Sequence, residues 1–393
     1  IFGLLPVPLW WVVLLVLINL VVTHRNAERL ESTFHQVAAR EREFQLYAGA
    51  LGVLAGQLFA SPRLREVAAA LVSEGRSAAG WMDLLHRRLV LSDTRRAGII
   101  HFPLQTLTLW DFHMVDLLER WQQAAGPRAR TWLAALGDCE ALAALAGLAH
   151  DNPGWVYPEV SPGRPGAGPA VYAARALGHP LLPESARVAN DVEVGPPGTF
   201  LLVTGSNMSG KSTLLRAIGI NAVLAQAGGP ACAAALTLPP LDLATSILVE
   251  DSLADGVSFF LAELHRIRGV VDAAEQSRAA GRTLLYLLDE VLRGTNSAER
   301  QVAVRRILLH LLAEGAIGAV STHDLQLAEI AELQAASRAV HFRESFRQSP
   351  EGPQMTFDYQ MREGVAQTVN ALKLLEMVGL GEDRLGGAGA EGH

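Results

Sequence analysis

One segment constrains the fold of this chain more than any other: a glycine-rich loop that lies between an apolar run and a helix-like stretch. Residues 205–212 have the sequence Gly-Ser-Asn-Met-Ser-Gly-Lys-Ser, which fits the pattern G-x-x-x-x-G-K-[ST]. The apolar run 200–203 precedes this loop, and a stretch with helical character begins at Thr213. A strand, a tight loop and a helix in this order predict a phosphate-binding site in an α/β domain with a mostly parallel sheet.

The residue types of the loop suit a nucleotide polyphosphate. Glycines let successive backbone N–H groups turn towards phosphate oxygens, and the N-terminus of the following helix adds partial positive charge. Lys211 would place its charge on the β- and γ-phosphates, and the Ser212 hydroxyl would coordinate Mg²⁺. The predicted nucleotide-binding residues of this segment are Gly205, Ser206, Asn207, Met208, Ser209, Gly210, Lys211, Ser212 and Thr213.

Two further apolar runs end in polar residues that complete such a site. Residues 284–288 are all apolar and lead into Asp289 and Glu290, as expected for a buried parallel strand that delivers two acids to one edge of the sheet. Asp289 would hold Mg²⁺ through its water shell, and Glu290 would act as the general base. A third run, 316–320, is followed closely by His323, which would contact the γ-phosphate; a structural histidine is the alternative.

The N-terminus predicts a membrane segment. Residues 1–23 carry no charge, and 18 of the 23 are apolar. As a helix they would measure about 35 Å, enough to cross a hydrocarbon core of about 30 Å. A buried core helix and a cleaved signal peptide are the alternatives. Arg25 and Arg29 on the C-terminal flank favour an inner- or plasma-membrane protein whose remaining domains face the cytoplasm.

Composition and periodicity divide the rest of the chain. Apolar residues recur at three- and four-residue spacing before residue 150, which predicts an all-helical domain. Five prolines and four glycines between 151 and 169 indicate a boundary, and short apolar runs alternate with helical stretches beyond it. The predicted divisions are a transmembrane helix (1–23), an all-α domain (24–150), a linker (151–169), an α/β domain (170–380) and a disordered tail (381–393).

Charge and cysteine content exclude some classes of protein. Residues 24–150 contain 14 arginines and 13 acidic residues, for a net charge of +1, while the whole chain carries −7. Bulk charge therefore gives no sign of a strongly basic nucleic-acid-binding domain. The two cysteines, Cys139 and Cys232, cannot form a disulfide framework and have no metal-ligand spacing.

Several motifs together resemble the ATPase domain of the MutS family, which belongs to the ABC-type P-loop NTPases. They are the loop 204–213, the acids 288–290 with 293–295, residues 321–323, a signature-like segment 255–264, and Gly178-His179-Pro180 followed by Asn190-Asp191. The resemblance implies a Mg²⁺-dependent ATPase that binds ATP as a homodimer. It also implies that Ser258 approaches the nucleotide of the opposite subunit and that His179 lies near the base; a helix N-cap and a surface loop are the respective alternatives.

The resemblance covers about residues 100–380 and has notable departures. Nothing resembles a mismatch-recognition domain, and residues 24–150 contain no Phe-x-Glu motif. The membrane segment suggests a membrane-anchored branch of the family. Two functions therefore compete: an ATPase whose dimer rearranges on DNA, without mismatch specificity, in a repair-like or DNA-processing role, and a membrane-bound motor that acts on a protein partner.

Overall fold

The structure, a computed structural model, describes residues 9–38, 41–161, 171–247, 259–292, 296–349 and 352–366. It divides into two compact units, residues 1–144 and 145–393. Residues 1–8 of the predicted membrane segment, the predicted site residue Ser258 and the predicted tail lie outside the described residues.

The first unit is built from helices. Its elements are α1 (Leu9–Ala38), α2 (Glu41–Ala55), α3 (Pro62–Ala70), α4 (Ala78–Ser92), α5 (Gly98–Thr108) and the beginning of α6 (Trp110–Asp151), with a short hairpin of β1 (Val72–Ser73) and β2 (Arg76–Ser77). Leu51, Leu71, Leu85 and Trp132 form the centre of its core, each at most 2% exposed. The all-α character expected from the periodicity is therefore present, although α6 continues into the second unit.

Two helices are long and apolar enough to cross a membrane by length and composition, Trp10–Ser32 and Trp110–Asp151. The second contributes Met114, Leu118 and Trp121 to the core of the helical unit. The first helix is different, because only 6% of its apolar stretch is buried. An N-terminal apolar helix is thus present, and the other described residues leave most of its surface open.

The second unit is an α/β domain. Its strands are β3 (Glu159–Val160), β4 (Tyr172–Leu177), β5 (Asn190–Val194), β6 (Phe200–Thr204), β7 (Ala235–Leu238), β8 (Leu241–Ser246), β9 (Thr283–Asp289), β10 (Ile317–Ser321), β11 (Ser337–His341), β12 (Glu344–Ser349), β13 (Gly352–Phe357) and β14 (Arg362–Glu363). Its further helices are α7 (Lys211–Gln226), α8 (Phe259–Ala279), α9 (Ser297–Ala313) and α10 (Ala331–Ala336).

Six of these strands form the central sheet, in the order β14-β11-β6-β10-β9-β8. All neighbouring pairs are parallel except β14 and β11. Because the carboxyl ends of parallel strands meet at one edge, the ends of β6, β9 and β10 are neighbours there. The register places Ser321 opposite both Val203 and Asp289.

The packing of strand β6 on both faces explains why its sequence begins with an unbroken apolar run. Phe200 and Leu202 pack into a core with residues of α8 and α9, while Leu201 and Val203 pack into a second core with residues of α7. A strand covered on both faces has no solvent side and needs no polar alternation. The loop that follows β6 is therefore held by a strand buried throughout.

A smaller sheet, in the order β3-β7-β4-β5, lies in the same unit. It includes residues that the proline and glycine content had assigned to the linker 151–169. Val156 pairs with Ala231, and Glu159 and Val160 pair with β7. Proline-rich sequence can occupy edge strands, where some backbone N–H groups need no partner. The described part of that segment is thus structured with the α/β unit.

Candidate active site

The loop between β6 and α7 adopts backbone angles that favour glycine. Gly205 has φ +138° and Gly210 has φ +109°, and Met208 is also left-handed at φ +66°. A Cβ atom at Gly205 would lie 2.6 Å from the carbonyl oxygen of Phe342. That oxygen belongs to backbone that follows β11, so a side chain at position 205 would force the loop or the strand to move.

Lys211, at the start of α7, places its ammonium group inside this loop. Its Nζ atom donates to the carbonyl oxygens of Gly205 and Ser206, each at 2.9 Å. The same nitrogen lies 3.4 Å from Oε1 of Glu290, and both side chains are about 95% buried, with exposed fractions of 4% and 5%. The loop therefore encloses a positive charge whose partners are two backbone dipoles and one carboxylate.

Glu290 follows β9 and is held by the neighbouring strand. Its backbone is left-handed, with φ +48°. Its N–H donates to the carbonyl oxygen of Ser321 at 3.1 Å and lies 3.2 Å from the Ser321 hydroxyl. Its carboxylate lies between Lys211 and His323, whose Nδ1 is 3.3 Å from Oε2. The structure thus brings together the residues predicted as phosphate ligand, general base and γ-phosphate contact.

Asp289 and Ser212 are the predicted metal ligands. The Ser321 hydroxyl donates to Oδ1 of Asp289 and fixes that carboxylate at the end of β9. Ser212 lies at the first turn of α7, on the wall of a cavity. Among the described residues no group of three or more His, Cys, Asp or Glu side chains could hold a metal ion by itself. One hydroxyl and one carboxylate fit a Mg²⁺ ion that takes its other ligands from water and phosphate.

The loop and these residues border a cavity of about 710 Å³. This volume lies within the usual range for small-molecule and cofactor sites, about 300–1,000 Å³. Its wall includes the following predicted residues: Asn207, Met208, Gly210, Lys211, Ser212, Thr213, His179 and Glu290. The cavity wall does not include five other predicted residues, which are Gly205, Ser206, Ser209, Asp289 and His323. Ser258 lies outside the described residues.

His179 reaches the cavity from the loop after β4. Its Nδ1 accepts a hydrogen bond from the N–H of Leu181 at 3.2 Å. Burial lowers the pKa of His179, and the nearby charges of Arg216 and Arg187 lower that pKa further. Burial and the two arginine charges thus all favour the neutral imidazole, which suits contact with an uncharged aromatic ligand better than contact with a phosphate.

Asn221 ties the helix after the loop to the segment that carries His179. This side chain is fully buried, and its Nδ2 donates to Gly178 O at 3.0 Å and to Ala217 O at 2.8 Å. Its Oδ1 accepts from the N–H of Cys232 at 2.7 Å. One amide thus holds α7 against two other segments and fixes the distance between His179 and the loop.

The sequence did not identify Tyr359 or Phe342 as site residues, although both line the cavity. Asn190 holds the segment of Tyr359, because its Nδ2 donates to Tyr359 O at 3.0 Å and its Oδ1 accepts from Met361 N at 2.7 Å. Asn190 formed part of the resemblance but carried no predicted role. Tyr359 had no local signal, since no recognisable motif surrounds it.

A second carboxylate supports the turn that carries Glu290. Glu263 on α8 is 3% exposed, and its Oε1 accepts a hydrogen bond from the N–H of Leu292. Leu292 is left-handed, with φ +61°. A turn with positive φ at both Glu290 and Leu292 needs such outside support, because this conformation costs free energy for non-glycine residues.

Comparison with known proteins identifies the domain that carries this site. Residues 201–389 match the family model "MutS domain V". This part of the chain belongs to the MutS family. Similar proteins include a DNA mismatch repair protein MutS from Natronomonas pharaonis, 31% identical over 52% of this chain and 23% of that protein. An Endonuclease MutS2 from Thermomicrobium roseum is 31% identical over 75% of this chain and 40% of that protein.

A third relative, the DNA mismatch repair protein MutS from Shouchella clausii, is 30% identical over 62% of this chain. The chain spans between 23% and 40% of the length of these three relatives. The match to MutS2 extends furthest along this chain. The family model itself is confined to the α/β unit, where the loop, Glu290 and the cavity lie.

Proposed function

We propose that this MutS-family chain is a Mg²⁺-dependent ATPase with a P-loop NTPase fold. The observation that carries the proposal is the buried Lys211 ammonium, whose Nζ lies 3.4 Å from Oε1 of Glu290. It lies inside a loop that follows a strand and contains several residues with positive φ. A buried charge of this kind needs strong partners. Phosphate oxygens of ATP would supply them, and the cavity beside the loop holds the rest of the nucleotide.

The roles of the side chains follow from these contacts. Lys211 would exchange its contact with Glu290 for β- and γ-phosphate oxygens. The carboxylate of Glu290, released from Lys211, would then accept a proton from the attacking water, while His323 orients that carboxylate from its other side. When bound, Mg²⁺ neutralises phosphate charge, and Ser212 and Asp289 are the residues that would hold it.

The test compares two variants with a matched control. Glu290→Gln removes the base but keeps the shape, so turnover should fall by about 10²–10⁴-fold while ATP binding persists. Lys211→Ala removes the phosphate charge and should abolish binding. Glu275→Gln is the control, because Glu275 is 57% exposed and pairs with His310 away from the cavity wall. ATP turnover at the parental rate in Glu290→Gln would show that the assignment of the base is wrong.

We further propose that ATP drives homodimerisation. By resemblance, Ser258 completes the nucleotide site of a second copy, and two such contacts close under two-fold symmetry. Light scattering of Glu290→Gln at saturating ATP should give the dimer, and the same protein without nucleotide should give the monomer. A monomer under both conditions would contradict sites completed in trans.

DNA is the partner that the relatives' names favour, since two are called mismatch repair proteins and one an endonuclease. The competing function, a motor acting on a protein, is favoured by the net charge of only +1 over residues 24–150. Binding to duplex DNA measured over a range of salt concentrations separates the two, because phosphate contacts weaken steeply as salt rises. We expect salt-dependent binding that differs by less than about tenfold between matched and mismatched duplexes.

Membrane tethering through α1 is the last part of the proposal. Trp10, Trp11, Leu15 and Leu17 are each about half exposed, at 49% to 57%, so this stretch offers an apolar surface that the chain does not cover. Insertion into lipid would remove that surface from water. The chain should stay with membranes in high salt, and protease added to intact cells should leave the ATPase domain uncut. Release by salt or cleavage from outside would contradict the anchor or its orientation.

A further inference from the structure

Helix α5 presents large apolar side chains to its surroundings. Ile99 is 94% exposed, Phe102 65%, Ile100 59% and Leu107 53%. The chain from Ala97 to Trp110 contains no Lys, Arg, Asp or Glu. Apolar side chains concentrated on one exposed element mark a surface that meets another apolar phase or partner.

The polar side chains of α5 are all hydrogen-bonded within the protein. The hydroxyls of Thr106 and Thr108 donate to carbonyl oxygens one turn earlier in the same helix. His101 Nε2 lies 2.9 Å from Oδ1 of Asp111, a residue only 2% exposed. Hydroxyls that bond within their own helix are a feature of helices in apolar surroundings. Water is therefore not needed to satisfy any of these groups.

Two hydrogen bonds connect α5 to the apolar part of α1. Asn19 Nδ2 donates to Thr106 O at 2.8 Å, and Gln105 Nε2 donates to Thr23 Oγ1 at 2.9 Å. The Thr106 carbonyl lies in the last turn of α5, where carbonyls lack partners within the helix. Asn19 is 7% exposed, whereas its neighbour Ile18 is 51% exposed. Within residues 10–23, Asn19 is the one residue that the described part of the chain buries, and its side chain contacts α5.

The contacts also fix the direction and depth of α5. The Arg95 guanidinium, which precedes α5, lies 4.4 Å from the centre of the Phe34 ring. Because the end of α5 contacts Asn19, the two helices run antiparallel. Asn19 lies six residues before Arg25, or about 9 Å along the helix axis. The last turn of α5 therefore lies about 9 Å from the basic flank of α1, beside its apolar stretch.

We propose that α5 is a second membrane element, a short helix that runs antiparallel to α1 and enters the lipid with its C-terminal end. Its 11 residues are too few to span a bilayer, which takes about 20. Its occupant is the lipid, because α5 is hydrogen-bonded to the apolar stretch of α1, which is long enough to cross a membrane and is only 6% buried. This inference rests on the proposed insertion of α1.

The test uses the full chain in phosphatidylcholine liposomes that contain a phospholipid with a diazirine on its acyl chain. After irradiation and trypsin digestion, label is counted in peptide 97–120, which contains α5, and in peptide 1–25, which contains the apolar part of α1. Peptide 301–305 is the reference, because its Val302 is 55% exposed on the α/β unit. We expect both membrane peptides to exceed the reference by about tenfold.

A pair of variants tests the connection to α1. Asn19→Leu removes the bond to Thr106 and should lower the label in peptide 97–120 by about threefold relative to peptide 1–25. Asn26→Leu is the matched control, since Asn26 Nδ2 bonds only to Val22 O within the same helix. An unchanged ratio in Asn19→Leu would contradict the role given to Asn19.

The outcomes separate this inference from the proposal on which it rests. Label in peptide 1–25 with reference-level label in peptide 97–120 would overturn the inference and leave the anchor standing. That result would also be obtained if α5 were covered by a second copy of the chain instead of lipid. Reference-level label in both peptides would overturn the membrane anchor itself.

Discussion

Replacement of Asn221 by alanine tests how the nucleotide cavity is held together. The side chain makes two hydrogen bonds to segments outside its helix, to Gly178 O and from Cys232 N. Alanine cannot replace either, and Asn221 is 0% exposed, so water cannot reach the two groups without local opening. A buried polar group left unpaired costs about 1–3 kcal/mol, so two such groups predict a loss of about 2–6 kcal/mol.

The measurement is urea unfolding of the detergent-solubilised chain, followed by circular dichroism. With a slope of about 3 kcal/mol per molar urea, the midpoint should fall by about 0.7–2 M. Affinity for ATP should fall as well, because Gly178 immediately precedes His179 on the cavity wall. Hydrogen exchange at the Cys232 amide should accelerate, since its acceptor is gone.

Asn152→Ala is the matched control for this experiment. Asn152 Nδ2 also donates to a backbone carbonyl, Leu148 O at 2.9 Å, but that bond lies within one helix at a partly exposed position. Its loss should cost less than about 1 kcal/mol. If Asn221→Ala lowers the midpoint no more than Asn152→Ala does, Asn221 does not hold these segments together and the reasoning fails.

Two further substitutions have predicted effects on stability. Tyr286 is fully buried and its hydroxyl has no hydrogen-bond partner among the described residues, so Tyr286→Phe should raise the urea midpoint, by a gain of about 1 kcal/mol. Burial by itself raises the pKa of Asp324, but hydrogen bonds from Gln301, Gln326 N and Arg300 outweigh it and leave that pKa below its ordinary value. The stabilisation of the fold by the Asp324 carboxylate is therefore complete above the ordinary aspartate pKa of about 3.9, and it is lost as the pH falls through the lowered pKa of Asp324. Asp324→Asn should therefore lower the stability of the protein at pH 7, and in strong acid the variant should be as stable as the parent. A midpoint difference for Asp324→Asn that is the same at pH 7 and in strong acid would contradict this account.

The sequence predicted the parts of the site that local pattern encodes. A glycine-rich loop after an apolar run and an acid pair after another are short-range signals, and parallel strands bring such ends together. The structure places Lys211 against Glu290, as these signals imply. The left-handed backbone at Glu290 has no such signal, because it depends on the bond from its N–H to Ser321 on the next strand.

Long-range contacts account for what the sequence did not predict. Tyr359 reaches the cavity through Asn190, a residue 169 positions earlier in the chain. The composition of 151–169 indicated a linker, but pairing with a distant strand decided the structure of residues 159 and 160. Likewise, the exposed face of α5 is meaningful only beside α1, since its sequence alone resembles an ordinary short helix. In each case tertiary contact outweighed local propensity.

Glu263 connects α8, the helix that follows the proposed dimer contact Ser258, to the turn that carries the proposed base Glu290. Ser258 would meet the second copy's nucleotide, and α8 begins one residue later. Glu263, near the start of that helix, accepts from the N–H of Leu292, two residues after Glu290. A helix that moves on dimer closure would therefore pull on the strained turn that carries Glu290. Hydrolysis would then respond to the presence of the partner, because α8 directly follows Ser258 in the chain and carries Glu263.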